Sequence, residues 1–346
     1  MAYEKLVGAE AMPAPDSLCR SSYDTRRRVG TRRFDEDISP RSPYHCRPPG
    51  GIADPDASLN NRKFAMPEGH TIHRLARDHT RDFGGQVVRV TSPQGRMAGG
   101  AALVDGLTLR AVEPYGKHLF YRFAPAGRRT RKPAPHVTSI HVHLGLFGKF
   151  TRFAALGPEP RDTVRMRISG VNWTVDLVGP TDCRVVDPEE ERVIRARLGP
   201  DPIRDDADPE QAWARIVKRR STIGEALMDQ KVMAGVGNVY RAESLFVHGI
   251  HPSRPASEVS RWEFDALWST IVRMLRQGVE DARIITVADD ELAPGVPRRR
   301  IRSKEAVYVY KKDNCRRCGT PIQRWDLSGR WAYACPTCQP TGPSLQ

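Results

Sequence analysis

Four cysteines near the C-terminal end are spaced for metal chemistry. Cys315-x2-Cys318 and Cys335-x2-Cys338 are separated by 16 residues, which suits a tetrahedral four-thiolate zinc site. Four protein ligands fill the coordination sphere, so the one Zn2+ expected here is structural, with no position left for water or substrate. A segment this small buries too little apolar surface to fold by itself, and metal binding supplies the difference. Between the pairs, "GTPIQRWDLSGRWAYA" can form a β-hairpin turning at Ser328-Gly329 and carrying Arg324, Trp325, Arg330 and Trp331. Arginines on a rigid hairpin suit phosphate contact; a solvated basic face is the plainer alternative.

A second stretch with chemical potential is Met66-Pro67-Glu68-Gly69. It opens a helical pattern in which Ile72, Leu75, Ala76 and Phe83 share one face. Proline in a first helical turn beside an acidic residue is an ordinary helix start. At a chain terminus, however, proline is a secondary amine and a nucleophile, with a carboxylate next to it. Inside a chain the same nitrogen is a tertiary amide whose lone pair is delocalised. Which chemistry applies depends on where the working chain begins.

A third stretch, "IGEALMDQKVMAGVGNVYRAESLF", places two helical segments around "KVMAGVGN". Gly235 and Gly237 permit tight turns, and the second helix should start at about Asn238. Free N–H groups at that start, with the Asn238 side chain, would form a phosphate site. Simple packing of two helices reads the same way.

The elements that must position these residues follow from patterning. At 346 residues the chain should hold about two domains. Its net charge of +14 and pI near 9.7 favour a polyanionic partner. An apolar run of membrane-spanning length is missing, so no membrane association is expected. Seven cysteines, unevenly placed, do not make a secreted disulfide scaffold. Residues 1–65 are rich in Pro, Gly, Ser and charge, without an apolar period or a targeting signal. Eleven basic against nine acidic residues there leave +2, so the basicity belongs to the main body. From 66 to 186, short alternating runs such as "QVVRVTS", "SIHVHLGLFGKFTRF" and "NWTVDLV" predict a β-sandwich or barrel behind a leading helix. Residues 187–297 read as helical, and 298–346 as the metal module. The fold class is therefore α+β multidomain.

Together these pieces resemble the formamidopyrimidine-DNA glycosylase / endonuclease VIII family of base-excision repair enzymes. The resemblance is carried by "MPEG" at 66–69, "YGKHLF" at 115–120, "HLGLFG" at 143–148, "LMDQKVMAGVGNVYRAE" at 227–243 and the cysteine module. It spans about 280 residues and none of 1–65. It implies an N-terminal β-sandwich, a helix-two-turns-helix domain and a zinc finger. Double-stranded DNA with damaged bases or abasic sites would lie in the cleft, with the damaged nucleotide flipped out.

The resemblance also implies roles. Pro67 matches the N-terminal proline nucleophile that attacks C1′, and Glu68 the acid/base carboxylate that assists sugar ring opening. Lys117 matches a phosphate-contacting lysine that helps catalysis. Asn238 and Arg330 match residues that clamp phosphates flanking the lesion, and Lys231 in the same motif joins them as a DNA contact. The chemistry is coherent: a secondary amine forms an iminium ion with the opened sugar, expels the base and acidifies the C2′ protons. Elimination of the 3′ and then the 5′ phosphate follows from one covalent intermediate.

Some residues depart from the pattern. Many relatives continue Pro-Glu-Gly-Pro-Glu, whereas this chain has His70 and Thr71, which leaves the base-pocket contacts open. Leu146 stands where guanine-lesion enzymes carry a void-filling methionine, with Phe147 after it. Both fit an apolar wedge, or core packing on a strand. The balance favours oxidised pyrimidines. His141 and His143 alternate on one strand face; without a third ligand they are assigned structural or DNA-backbone roles. Cys183 is a lone thiol, expected to be buried.

The working protein is expected to start at Met66, with methionine removed to free Pro67, to act as a monomer and to reside in the cytoplasm at the nucleoid. A non-catalytic damaged-DNA binder with blocked Pro67 is the alternative from a different class, and a formamidopyrimidine/8-oxoguanine-preferring enzyme the alternative within the same class.

Overall fold

The structure, a computed structural model, describes residues 67–125 and 138–341; expectations for residues 1–65 and Met66 lie outside them. Helix α1 (Gly69–Phe83) is followed by β1 (Arg89–Thr91), α2 (Ala98–Val104), β2 (Thr108–Tyr115), β3 (His118–Ala124) and β4 (Thr138–His143). Then come β5 (Lys149–Ala154), β6 (Val164–Ser169), β7 (Trp173–Val178) and β8 (Asp182–Val186). The strands form two four-stranded antiparallel sheets, ordered β1-β6-β7-β5 and β2-β3-β4-β8. This is the expected sandwich. Alternation along the strands sends Leu119, Tyr121, Ile140, Val142, Met166, Ile168, Val175 and Leu177 into the shared core. Ile72, Leu75, Ala76 and Phe83 of α1 join them, as the helical period in the sequence requires. Cys183 is buried in the same core, which pushes its thiol up to about 12.

Helix α3 (Pro188–Ala196) has proline in its first turn and an Asp187/Glu190 capping box. It lies on the outer face of the second sheet, where its Glu191 pairs with Arg122 and its Arg195 with Glu113. Helices α4 (Pro209–Ile216), α5 (Ile223–Met228), α6 (Asn238–Val247) and α7 (Arg261–Asp281) enclose a second core that includes Leu227, Val236, Tyr240, Leu245, Phe264 and Ile271. Capping boxes at Thr222/Glu225 and Ser260/Glu263 fix the starts of α5 and α7. Helix α6 begins at Asn238, where the sequence placed it.

The terminal module is a hairpin of β9 (Gln323–Leu327) and β10 (Arg330–Ala334). Ser328 and Gly329 both take positive φ, 53° and 75°, forming the tight turn that suits a two-residue hairpin. The module is not a free appendage. Trp325 stacks on His251 with 5.2 Å between ring centroids and 3° between planes. Phe246 of α6 packs with Tyr308, Tyr333, Cys315 and Cys335 in one small core. No helix among the described residues is long and apolar enough to cross a membrane.

Candidate active site

Three segments distant in sequence meet at the start of α1. The Gly69 amide donates to the Gly235 carbonyl at 2.8 Å. A Cβ on Gly69 would stand 3.0 Å from the Gly235 Cα, and one on Gly116 would stand 2.7 Å from the Ala234 Cβ. The β2–β3 turn, the α1 N-terminus and the α5–α6 turn therefore approach at backbone distance. Asp201 holds the same junction from below. Its buried carboxylate accepts from the Gly116 amide and pairs with His73 Nε2, both at 2.7 Å.

Glu68 sits inside this junction, 1% exposed. Its carboxylate accepts from the amides of Val239 at 3.0 Å and Tyr240 at 3.5 Å, in the first turn of α6. The sequence reading left those N–H groups free for a phosphate; in the structure the amides of Val239 and Tyr240 are taken by Glu68. The group drawn to the positive helix end is the protein's own Glu68 carboxyl. Gly237 makes the approach possible, because a Cβ there would lie 2.3 Å from Glu68 Cδ. Burial pushes the Glu68 carboxyl above the usual carboxylate range, although Lys117 and the α6 amides favour its charge. Burial likewise lowers the Lys117 ammonium, with repulsion from Arg330 adding to it and attraction to Glu68 opposing it. The pair is thus an acid and an amine with their pKa values drawn toward each other, a condition suited to proton transfer. Pro67, half-buried, immediately precedes Glu68.

The other sequence-predicted residues occupy the first turn of α6, the hairpin and two exposed turns. Arg330 is exposed at the start of β10, near enough to depress both Lys117 and Arg241. Asn238 is 5% exposed, and its amide donates to the Trp331 carbonyl at 3.1 Å. Its Oδ1 accepts from Arg241, which also donates to the Trp331 carbonyl at 2.8 Å. Asn238 therefore ties α6 to the hairpin. Lys231 is exposed in the α5–α6 turn. Leu146 and Phe147 are 41% and 71% exposed on the turn between β4 and β5, which sets aside core packing for both. Gly148 closes that turn by donating to the Leu144 carbonyl at 2.9 Å.

Sequence reasoning missed Arg241, Asp201 and Glu243. Burial brings Arg241 down to about 10, and its Nη1 has no partner. Glu243 accepts the amides of Tyr308, Val309 and Tyr310 and the Thr286 hydroxyl, fixing the strap that leads into the finger. Both residues lie in the quoted "NVYRAE" stretch. A charged residue inside an otherwise apolar helix pattern was the available signal. His70 is buried edge-on to Tyr240 with centroids 5.3 Å apart, and burial lowers it to about 3.

The four cysteines converge as their spacing required. All four Sγ atoms lie within 4.8 Å of one another, with separations of 3.9 Å for Cys315–Cys338, 3.4 Å for Cys318–Cys335 and 3.5 Å for Cys318–Cys338. Tetrahedral zinc with bonds of about 2.3 Å needs sulfurs roughly 3.8 Å apart, so the donor set fits that ion. Among the described residues this is the one group of three or more such side chains placed to hold a metal ion.

Comparison with known proteins agrees with this architecture. The formamidopyrimidine-DNA glycosylase N-terminal domain matches residues 66–190, and the formamidopyrimidine-DNA glycosylase H2TH domain matches residues 198–289. Endonuclease 8 1 of Mycobacterium tuberculosis (strain ATCC 25618 / H37Rv) is 45% identical over 280 residues, covering 79% of this chain and 100% of the relative. The formamidopyrimidine-DNA glycosylase of Thermosynechococcus vestitus is 34% identical over 258 residues, covering 70% of this chain and 85% of the relative. Among solved structures, Lactococcus lactis Fpg in complex with N7-benzyl-Fapy-dG DNA superposes with a TM-score of 0.64 at 20% identity, over 80% of this chain and 100% of that one. The same protein with DNA containing an oxidised pyrimidine gives 0.64 at 19%, over 80% and 100%. At these identities the solved structures speak to the fold, whereas a relative matched along its whole length at 45% speaks to descent. The chain belongs to the formamidopyrimidine-DNA glycosylase / endonuclease VIII family.

Proposed function

We propose that the chain is a bifunctional DNA glycosylase and AP lyase of base-excision repair that uses Pro67 as its nucleophile. The observation that carries this reading is Glu68, a buried carboxyl with a raised pKa, placed between Lys117 and the start of α6 and directly after Pro67. The Pro67 nitrogen attacks C1′ of the damaged nucleoside, the glycosidic bond breaks, and the base leaves with its electron pair and takes up the proton that the amine releases. Glu68 protonates the ring oxygen as the sugar opens, leaving an iminium ion between proline and C1′. Loss of a C2′ proton then drives β-elimination of the 3′ phosphate, and a second loss drives δ-elimination of the 5′ phosphate; water finally releases the proline. Lys117, Lys231, Asn238 and Arg330 hold phosphates, and Leu146 and Phe147 fill the vacated stack.

This chemistry requires a free Pro67 amine, so we place the working start at Met66, with that methionine removed. The N-terminal domain match beginning at residue 66 supports this start. Oxidised pyrimidines are the favoured substrates, a reading supported by the whole-length relative named Endonuclease 8 1 and by Leu146 at the wedge. Formamidopyrimidine or 8-oxoguanine preference is the second reading, favoured by the 34% relative of that name. The finger holds one Zn2+, and the protein works as a monomer on double-stranded DNA in the cytoplasm, at the nucleoid.

Borohydride trapping on duplexes carrying an oxidised pyrimidine, 8-oxoguanine or an abasic site, followed by peptide mapping, tests the proposal. The expected adduct is on Pro67, with the pyrimidine duplex trapped fastest. Lesion binding without trapping would favour the non-catalytic binder. A trappable, active protein with an intact Met1 terminus would overturn Pro67 as nucleophile.

A further inference from the structure

Three histidines share the outer face of the β2-β3-β4-β8 sheet beside Lys117. In register, His118 on β3 stands opposite His143 on β4, and His143 stands opposite Asp182 on β8. The His118 ring stacks on His143 with centroids 4.7 Å apart and on His141 at 5.1 Å. His118 Nδ1 is 2.8 Å from His141 Nε2, and His141 Nδ1 is 3.2 Å from an Asp182 carboxylate oxygen. Phe120 covers His141 at 5.1 Å, and His141 is 3% exposed.

The donors and acceptors can be ordered along this chain. A carboxylate only accepts, so His141 carries its proton on Nδ1 and leaves Nε2 bare. That bare nitrogen must accept from His118 Nδ1–H, which leaves His118 Nε2 as the unprotonated end of the relay. Burial lowers all three imidazoles, His118 to about 3, with Lys117 acting further against charge on His118 and His143. Burial thus favours the neutral form of each ring in the free protein. Also near it are Arg184 on β8, 3.3 Å from the same Asp182 oxygen, Tyr115 on β2, opposite His118 in register and donating to the Gly199 carbonyl at 3.1 Å, and Arg195 of α3, 4.8 Å over the Phe120 ring.

We infer that the His118–His141–Asp182 chain is a proton-accepting relay that takes up one proton when a DNA phosphate docks at Lys117, which makes the phosphate grip of this protein proton-linked. The inference rests on the proposed DNA-binding function. An arriving phosphate offsets the Lys117 charge and favours an imidazolium. The proton comes from solvent and adds to His118 Nε2, while His118 Nδ1–H and His141 Nδ1–H pass the positive charge toward the Asp182 carboxylate. Stacked imidazoles repel a second charge, so uptake stops at one. Asp182 and His141 act through His118 and are positioning residues.

The test is titration calorimetry of the full chain with a duplex containing a tetrahydrofuran abasic analogue, near pH ~6, in buffers of differing ionisation enthalpy. About one proton should be taken up per duplex bound, and affinity should tighten by up to about tenfold per unit fall in pH. Asp182→Asn and His141→Phe should each cut the uptake sharply and flatten the pH profile, while leaving the salt dependence of binding in place. A merely structural role would weaken binding equally at every pH. Binding without proton uptake in the wild type overturns the relay and leaves the DNA-binding function standing. So does uptake that survives both substitutions. Failure to bind the duplex at all overturns both.

Discussion

The carboxylate of Glu68 accepts the backbone N–H of Val239 at 3.0 Å, across 171 positions of chain. One helix start thereby fixes the position of the acid. Gly237→Ala tests this, since the added Cβ would stand 2.3 Å from Glu68 Cδ and force the carboxyl aside. Displacing a reacting group by an ångström costs about 10²-fold. Single-turnover excision should fall by about that factor, with binding of undamaged duplex largely retained. An unchanged rate would show that the carboxyl works from another position.

Glu68→Gln should stabilise the fold while abolishing excision. The folded pKa of Glu68 is raised above 4.5, so its ionised form is penalised by folding. That penalty is fully present above the folded pKa and absent below the unfolded one. The gain in Tm should be about 2–4 °C for each 1 kcal/mol relieved at pH ~7.5, and should fade as pH falls toward the unfolded value. Scanning calorimetry at both ends of that window checks the sign; a gain that grows on acidification would contradict the buried-acid account.

Zinc removal, or Cys318→Ser, should unfold the finger while the sandwich stays folded, because the sandwich core draws nothing from the finger. DNA binding should weaken by at least about tenfold as the finger loses its ordered hairpin. Backbone amide spectra, read beside a binding assay, would reveal both effects. Wild-type affinity in the serine variant would remove the finger from the DNA interface.

Arg330→Ala should lower affinity across sequences and reduce the salt slope of binding by about one. A loss of lesion preference at unchanged affinity would instead make Arg330 a reader of bases.

Phe147→Ala should leave stability within about 0.5 kcal/mol, since the ring is 71% exposed. Excision from duplex DNA should slow by about tenfold, with less effect on single strands, because a wedge matters only where a stack must be filled. Equal slowing on both substrates would argue against the wedge.

The legible parts of this molecule were local. The cysteine spacing, the Ser328-Gly329 turn, the start of α6 and the apolar face of α1 each depend on residues near in sequence, where period and turn chemistry decide. The contacts that assemble the site are not local. Nothing near Asp201 announces that it will hold the Gly116 amide, and strand register alone brings His118 opposite His143. The start of α6 is instructive: two of its amides receive the Glu68 carboxyl, a partner 171 positions away that local pattern does not announce.

Helix α6 has a consequence for how the molecule becomes ready to act. Its first turn anchors Glu68, its Asn238 and Arg241 hold the hairpin through Trp331, and its Glu243 secures the strap at Tyr308–Tyr310. Acid, hairpin and strap share a single mount, so none can be set correctly while another is loose. Under the proposed mechanism, a copy with an unseated finger would therefore also have a misplaced acid.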